Sequence, residues 1–82
     1  MFLKVFRNEE WIALRLAEIR RVRVIEVDGG FEVRVQVWHG PERIEEHKIS
    51  KHMTVAAADY AGSQILKDIE EDALAHRGNL PR

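Results

Sequence analysis

Four arginines stand within nine positions near the start of the chain: Arg15, Arg20, Arg21 and Arg23. Arg21 and Arg23 alternate with valines, and Arg34 does the same in the segment FEVRVQVW, which ends at Trp38. Guanidinium groups bind phosphate oxygens, and an exposed indole ring offers a stacking surface for a nucleic-acid base. The residues that could form such a polyanion surface are Arg20, Arg21, Arg23, Arg34 and Trp38.

Glutamates interleave with these arginines and offer an ordinary explanation for them. Glu26 and Glu32 fall among them, so cross-strand Arg–Glu pairs on a solvated sheet face account for the pattern. The chain also lacks the aromatic motif of RRM domains and the GXXG loop of KH domains. We therefore favour an ion-paired face, with weak nucleic-acid binding as the alternative.

Four histidines are the candidates for metal ligation or proton transfer: His39, His47, His52 and His76. Their spacing matches neither HExxH nor a paired CxxC motif, and the chain contains no cysteine. We interpret them as surface histidines, with His76 acting as a cation near the negative end of a helix. The sequence therefore predicts no metal site and no cofactor.

The carboxylates and hydroxyls show no arrangement that is typical of catalysis. Glu45 and Glu46 are consecutive, so a strand points them to opposite faces and they are poorly placed to act as a pair. An acidic group on the helix is interpreted as solvated or, alternatively, as a patch for a basic partner: Asp68, Glu70, Glu71 and Asp72. No serine lies in a GxSxG motif, so the sequence predicts no catalytic residue and a protein that is not an enzyme.

The elements that must position these residues begin with short apolar segments. FLKVF and WIAL, separated by the polar RNEE, predict two strands, and Leu16–Ile19 predicts an irregular connection. RRVRVIEV and FEVRVQVW flank a DGG turn at residues 28–30 and predict a hairpin. HGPER predicts a second turn, and RIEEHKI at Arg43–Ile49 predicts a further strand.

The strand Phe31–Val37 places its apolar residues at every second position, so one of its faces is buried. The preceding strand is less regular, because Val22 and Val24 share one parity and Ile25 and Val27 the other. A two-residue turn would place Val24 beside the apolar face, whereas a three-residue turn would place Ile25 and Val27 there. We favour the three-residue turn, with an irregularity near Val24.

The chain changes character at Thr54. Apolar or small residues recur three or four positions apart from Val55 to Ala73, which predicts one long helix over about 55–76. Thr54 is a suitable N-cap, and Gly78 can end the helix. Residues 78–82 are expected to form a loose tail.

Together these elements predict a single domain of the α+β class over residues 1–82. A twisted antiparallel meander of four to five strands, over about 2–49, is followed by the long C-terminal helix packed on the sheet. The expected core residues are Val5, Ile12, Leu14, Ile19, Val22, Val24, Phe31, Val33, Val35, Val37, Ile65, Leu66 and Ile69.

Size and composition narrow the class of protein. A chain of 82 residues with 45% hydrophobic residues supports one core whose stability margin is small, and self-association can compensate for this. The net charge of −1 differs from the strongly basic balance of a dedicated nucleic-acid binder. The absence of cysteine and of a long apolar segment leads us to expect a cytoplasmic protein without membrane association.

The leading hypothesis is a non-enzymatic interaction module that forms a homodimer and presents a mixed-charge sheet surface to an unknown protein partner. The residues expected to mediate self-association are Ile25, Val27, Ala57, Ala58, Ala61 and Gly62. For the small helix residues, close packing on the chain's own sheet is the simpler interpretation. A further alternative is a small-ligand pocket between sheet and helix near Trp11, Trp38 and Tyr60.

Overall fold

The computed structural model describes residues 2–78. Its elements are β1 (Phe2–Arg7), β2 (Glu10–Arg15), β3 (Ile19–Val27), β4 (Gly30–Trp38), β5 (Ile44–His52) and α1 (Val55–Gly78). This order confirms the α+β class, with antiparallel strands followed by a long C-terminal helix. β5 continues three residues beyond the predicted end at Ile49. The tail expected over 78–82 lies, apart from Gly78, outside the described residues.

β1 and β2 form a two-stranded sheet of their own. Their turn consists of Asn8 and Glu9, which have φ angles of 51° and 64°. Two positive φ angles give the local twist that a two-residue hairpin requires, although only asparagine of these two residues adopts them readily. A 3₁₀ turn, Leu16–Glu18, then connects this hairpin to β3 where the irregular connection is predicted.

The turn between β3 and β4 has two residues, so the predicted three-residue turn is wrong. Val27 pairs with Gly30, which leaves only Asp28 and Gly29 between the strands. Gly30 instead belongs to β4, where a Cβ atom would overlap the carbonyl oxygen of His52 on β5. The second glycine is therefore required by the neighbouring strand, and the sequence pattern did not distinguish this need from that of a turn.

The shorter turn sets the register of the three-stranded sheet β3-β4-β5. Val24 pairs with Val33 and lies on the face that packs against α1, whereas Ile25 pairs with Glu32 on the opposite face. The irregularity in β3 falls between Ile19 and Arg21, and not near Val24 as predicted. One extra residue there returns Ile19 to the buried face, because a bulge shifts the alternation of side chains by one position.

The small residues of α1 pack against the sheet of the same chain. Ala58 is fully buried, and a Cβ atom on Gly62 would lie 3.6 Å from the side chains of Val22 and Val24. The helix begins with the predicted cap, since the Ala57 amide donates to Thr54 Oγ1 at 3.2 Å. The buried hydrophobic residues are Val5, Leu14, Leu16, Ile19, Val33, Val35, Val37, Ala58 and Ile65.

Most of the predicted core is found in or against this cluster, but Leu66 is not. Leu66 is 54% exposed, because it follows the buried Ile65 and lies about a quarter turn further around the helix. Leu16 is buried although it stands in the connection that has no strand periodicity. Within residues 2–78, no helix combines the length and the apolar character needed to span a membrane.

Candidate functional site

The outer face of the sheet β3-β4-β5 points away from α1. Its members follow from the pairing register, and they are Arg21, Arg23, Ile25, Val27, Glu32, Arg34, Gln36, Trp38, Ile44, Glu46, Lys48 and Lys51. Five of these are cationic and two are carboxylates, which leaves a local charge of +3 on a chain whose net charge is −1. Basic residues are therefore concentrated on one side of the molecule.

Three cations form one row across the three strands of the outer face. Arg23 pairs with Arg34, and Arg34 pairs in turn with Lys48. Like charges that stand directly opposite each other destabilise a sheet. The row therefore requires compensation by neighbouring carboxylates.

Two carboxylates compensate part of this charge. Arg34 Nη2 donates to Glu32 Oε1 at 2.7 Å, and Glu46 contacts both Arg34 Nη1 at 3.4 Å and Arg23 Nη1 at 3.1 Å. The hydrogen bond from Arg34 lowers the pKa of Glu32, and the attraction of Lys48 acts in the same direction. Of the two predicted partners, Glu32 forms an ion pair, with Arg34 of its own strand, whereas Glu26 is opposite Phe31 on the other face of the sheet. Glu46 supplies the cross-strand ion pairs, and a cationic excess remains.

Lys48 and Lys51 also belong to the outer face, although they were not among the residues predicted for it. They are three positions apart, so a regular strand would point them to opposite faces. The pairing register shifts between Val33 and Arg34, so that Lys51 pairs with Glu32 and Lys48 pairs with Arg34. This bulge in β5 places both lysines on one face, and no local sequence pattern predicts the bulge.

The predicted polyanion residues are mostly brought together. Arg21, Arg23, Arg34 and Trp38 share the outer face, whereas the exposed Arg20 occupies the irregular position of β3 outside the pairing register. Trp38 is 45% exposed at the end of β4. An aromatic ring therefore stands at one end of the basic surface.

The aromatic hairpin face is a second exposed surface. It is the side of β1 and β2 that points away from the core, and it contains Phe2, Lys4, Phe6, Trp11, Ala13 and Arg15. Phe2, Phe6 and Trp11 are 61%, 59% and 70% exposed. The rings of Phe6 and Trp11 pack on each other with centroids 5.2 Å apart. Three exposed aromatic side chains on six positions form an apolar patch of the kind found at interaction sites.

Glu45 lies on the opposite side of β5 from Glu46, as predicted for consecutive strand residues. His39 Nε2 and His47 Nε2 lie 3.3 Å and 3.5 Å from Glu45 Oε2. The hydrogen bond from His39 is the main cause that lowers the pKa of Glu45, and Arg43 adds to it. His47 is only 5% exposed, which corrects its interpretation as a surface residue. No group of three potential ligands with metal-binding geometry exists among residues 2–78.

The acidic group of α1 is also less uniform than predicted. Asp68, Glu70 and Glu71 are exposed, whereas Asp72 is 4% exposed and therefore not part of a solvated face. Asp72 is seven positions after Ile65, which places both residues on the buried side of the helix. Three of the four carboxylates in this acidic group are thus exposed, on the helix that packs on the sheet from the side opposite the outer face.

The residues predicted for self-association do not form one surface. Ala58 and Gly62 are buried against the sheet, Ala61 is partly buried with them, and Ala57 is exposed. Ile25 and Val27 are half-buried on the outer face, on the other side of the sheet.

The predicted pocket residues are also separated. Trp11 lines a groove on the hairpin with Lys4 and Ala13, Trp38 ends the outer face, and Tyr60 is 68% exposed on α1. None of the main clefts in the described part of the chain contains two of these three rings.

The exposed hairpin aromatics and the basic outer face are therefore the features that most need a functional explanation. Both are surfaces, and neither has the enclosed form of a small-molecule site. Comparison of the chain with family models, with curated proteins and with solved structures found no match.

Proposed function

We propose that the protein is a non-enzymatic interaction module whose aromatic hairpin face binds a second copy of the chain. The observation that carries the proposal is the exposure of Phe2, Phe6 and Trp11 on one side of the hairpin. Aromatic side chains contribute much of the binding energy at protein interfaces, because they bury a large area with few rotatable bonds. A homodimer would use the same face on both copies.

The dimensions of the chain support a second copy as the occupant. The accessible surface is 6378 Å², whereas a compact monomeric protein of 9.5 kDa exposes about 5,000 Å². The radius of gyration is 13.9 Å, against about 12 Å for a compact domain of this length. The excess of roughly 1,300 Å² exceeds the approximately 800 Å² that each partner buries in a standard interface.

The hairpin itself would be stabilised by such a contact. A two-stranded sheet is marginally stable in water, and among the strands that the structure describes β1 and β2 pair only with each other. On one side of the hairpin, its own side chains pack into the core, namely Leu3, Val5, Ile12 and Leu14. A partner on the other side would cover the exposed aromatic side chains, so that both faces of the hairpin would be packed.

A chain without cysteine suits a reducing compartment, and we place the module in the cytoplasm on that ground.

Sedimentation equilibrium across a range of protein concentrations tests the proposal. The wild-type chain should approach twice its mass of 9.5 kDa, and the double variant Phe6→Thr/Trp11→Thr should remain a monomer. Threonine suits a strand, and both positions lie outside the core, so the variant is expected to fold. Circular dichroism checks this.

Tyr60→Ala is the matched control. It also removes an exposed aromatic ring, but from α1, where alanine favours the helix. This variant should associate as the wild type does. A wild-type chain that stays at 9.5 kDa at high micromolar concentration contradicts the proposal, and so does a hairpin variant that still dimerises.

A further inference from the structure

We infer that the outer face of the sheet binds single-stranded nucleic acid, through its row of cations and the ring of Trp38. This surface lies on β3, β4 and β5, and Phe6 of the aromatic hairpin face borders it in a cleft that Arg34, Glu46 and Lys48 also line. The cations and Trp38 all belong to β3, β4 and β5 of one chain, so the inference does not depend on self-association. It rests on the charges that the pairing register brings together.

The row of Arg23, Arg34 and Lys48 concentrates positive charge on this face. These side chains stand in register on three adjacent strands, and Glu32 and Glu46 offset the repulsion between the cations only in part. Glu32 and Glu46 contact the two arginines but not Lys48, for which no carboxylate among the described residues makes an ion pair. A phosphate group placed over the row would relieve the repulsion, because it adds negative charge where cations are in excess.

Two further cations extend this surface along the sheet. Lys51 lies on the same face, where its Nζ donates to the carbonyl oxygen of Asp28 at 2.9 Å. Arg21 is exposed at the other end of the face, opposite Gln36. The five cations thus cover three successive rows, which suits a chain of regularly spaced phosphates better than a single anion.

The aromatic side chain at the end of the face favours nucleic acid over an acidic peptide. Trp38 follows Arg34 and Gln36 on the same side of β4 and is 45% exposed. A base can stack on such a ring irrespective of its identity, whereas a carboxylate gains nothing from it. At this surface residues 2–78 form an open sheet, and no helix among them is positioned to enter the groove of a duplex. Single-stranded nucleic acid therefore fits the surface better than a duplex.

Fluorescence anisotropy with a labelled single-stranded oligonucleotide tests the inference on the full chain. At about 50 mM salt we expect a micromolar dissociation constant, and a plot of log affinity against log salt with a slope of about −2 to −3. Lys48→Ala should reduce the steepness of this slope by about 0.7, which corresponds to one phosphate contact. Trp38→Leu should weaken binding by about tenfold, because the stacking surface is lost.

Lys67→Ala is the matched control, since it removes one exposed lysine from α1 and changes the net charge equally. It should leave the affinity unchanged. Unlabelled duplex of the same length and a polyglutamate peptide serve as competitors, and both should compete more weakly than the unlabelled single strand.

The inference is overturned by a lack of binding at low salt, by equal effects of Lys48→Ala and Lys67→Ala, or by a competitor as effective as the single strand. Measuring Trp11→Thr, which removes one ring of the hairpin contact and leaves Phe6 in place beside Arg34 and Lys48, in the same assay separates the two proposals. Its retained binding would show that the basic face acts without the hairpin contact.

Discussion

Gly30 at the start of β4 lies directly against the backbone of His52 at the end of β5. A Cβ atom at position 30 would overlap the His52 carbonyl oxygen, and the backbone of two paired strands cannot separate without loss of their hydrogen bonds. The position therefore accepts glycine alone. The second glycine of the DGG segment is thus required by the packing of the sheet and not by the turn.

We predict that Gly30→Ala destabilises the protein by about 2 to 4 kcal/mol, because the added methyl group forces β4 away from β5. Urea unfolding at a fixed protein concentration measures the change, and the midpoint should fall while the slope stays constant. An alanine that left the midpoint unchanged would show that the two strands are not in close contact at this position.

Gly62→Ala should have the opposite effect. Its Cβ atom would lie 3.6 Å from Val22 and Val24, which is ordinary van der Waals contact. Alanine also favours the helix over glycine, so we expect a gain of about 0.5 to 1 kcal/mol in the free energy of unfolding. Gly62→Leu lacks room against the two valines and should destabilise. Equal stability of the alanine and leucine variants in urea would contradict the close packing of α1 on β3.

Glu9→Gly should stabilise the hairpin. Glu9 has a φ of 64°, a region that costs a non-glycine residue free energy and costs glycine very little. We expect a gain of about 0.5 to 1 kcal/mol, measured by thermal unfolding at fixed concentration. Glu10→Gly is the matched control, because the neighbouring residue is in β2 and glycine weakens a strand. A loss of stability in the Glu9 variant would argue against a turn with two left-handed residues.

Acid should remove a stabilising contribution from Glu45. Its pKa lies below the ordinary value of 4.5, chiefly because His39 donates a hydrogen bond to the carboxylate. A group whose pKa is lower in the folded state stabilises the fold above its unfolded pKa, and this contribution is lost as the pH falls through the folded pKa.

The prediction is tested by urea unfolding at several values between about pH 5 and pH 3. Glu45→Gln should reduce the loss of stability over this range, since the amide cannot be protonated in place of the carboxylate. Glu42→Gln removes an exposed carboxylate from the preceding turn and should retain the wild-type profile. Identical profiles for all three proteins would exclude a contribution from the contact with His39.

The amino-acid sequence by itself determined the elements of this protein. Alternation over Phe31–Val37 predicted the central strand, and the three-four spacing after Thr54 predicted the helix and its cap, because both signals depend on a residue's neighbours along the chain. Arg34 and Glu32 were also correctly expected to share a face and form an ion pair, since alternate positions of a strand point to the same side, whereas Glu26 lies on the other face.

Only the tertiary structure decided how these elements face one another. The register of β3 on β4 follows from a turn of two residues and not three, and the common face of Lys48 and Lys51 depends on a bulge opposite β4. Both are consequences of pairing between strands, and a side chain changes face whenever the register shifts by one residue. The exposure of Phe6 and Trp11 is decided in the same way, since the pattern of the hairpin does not reveal which of its sides the core will cover.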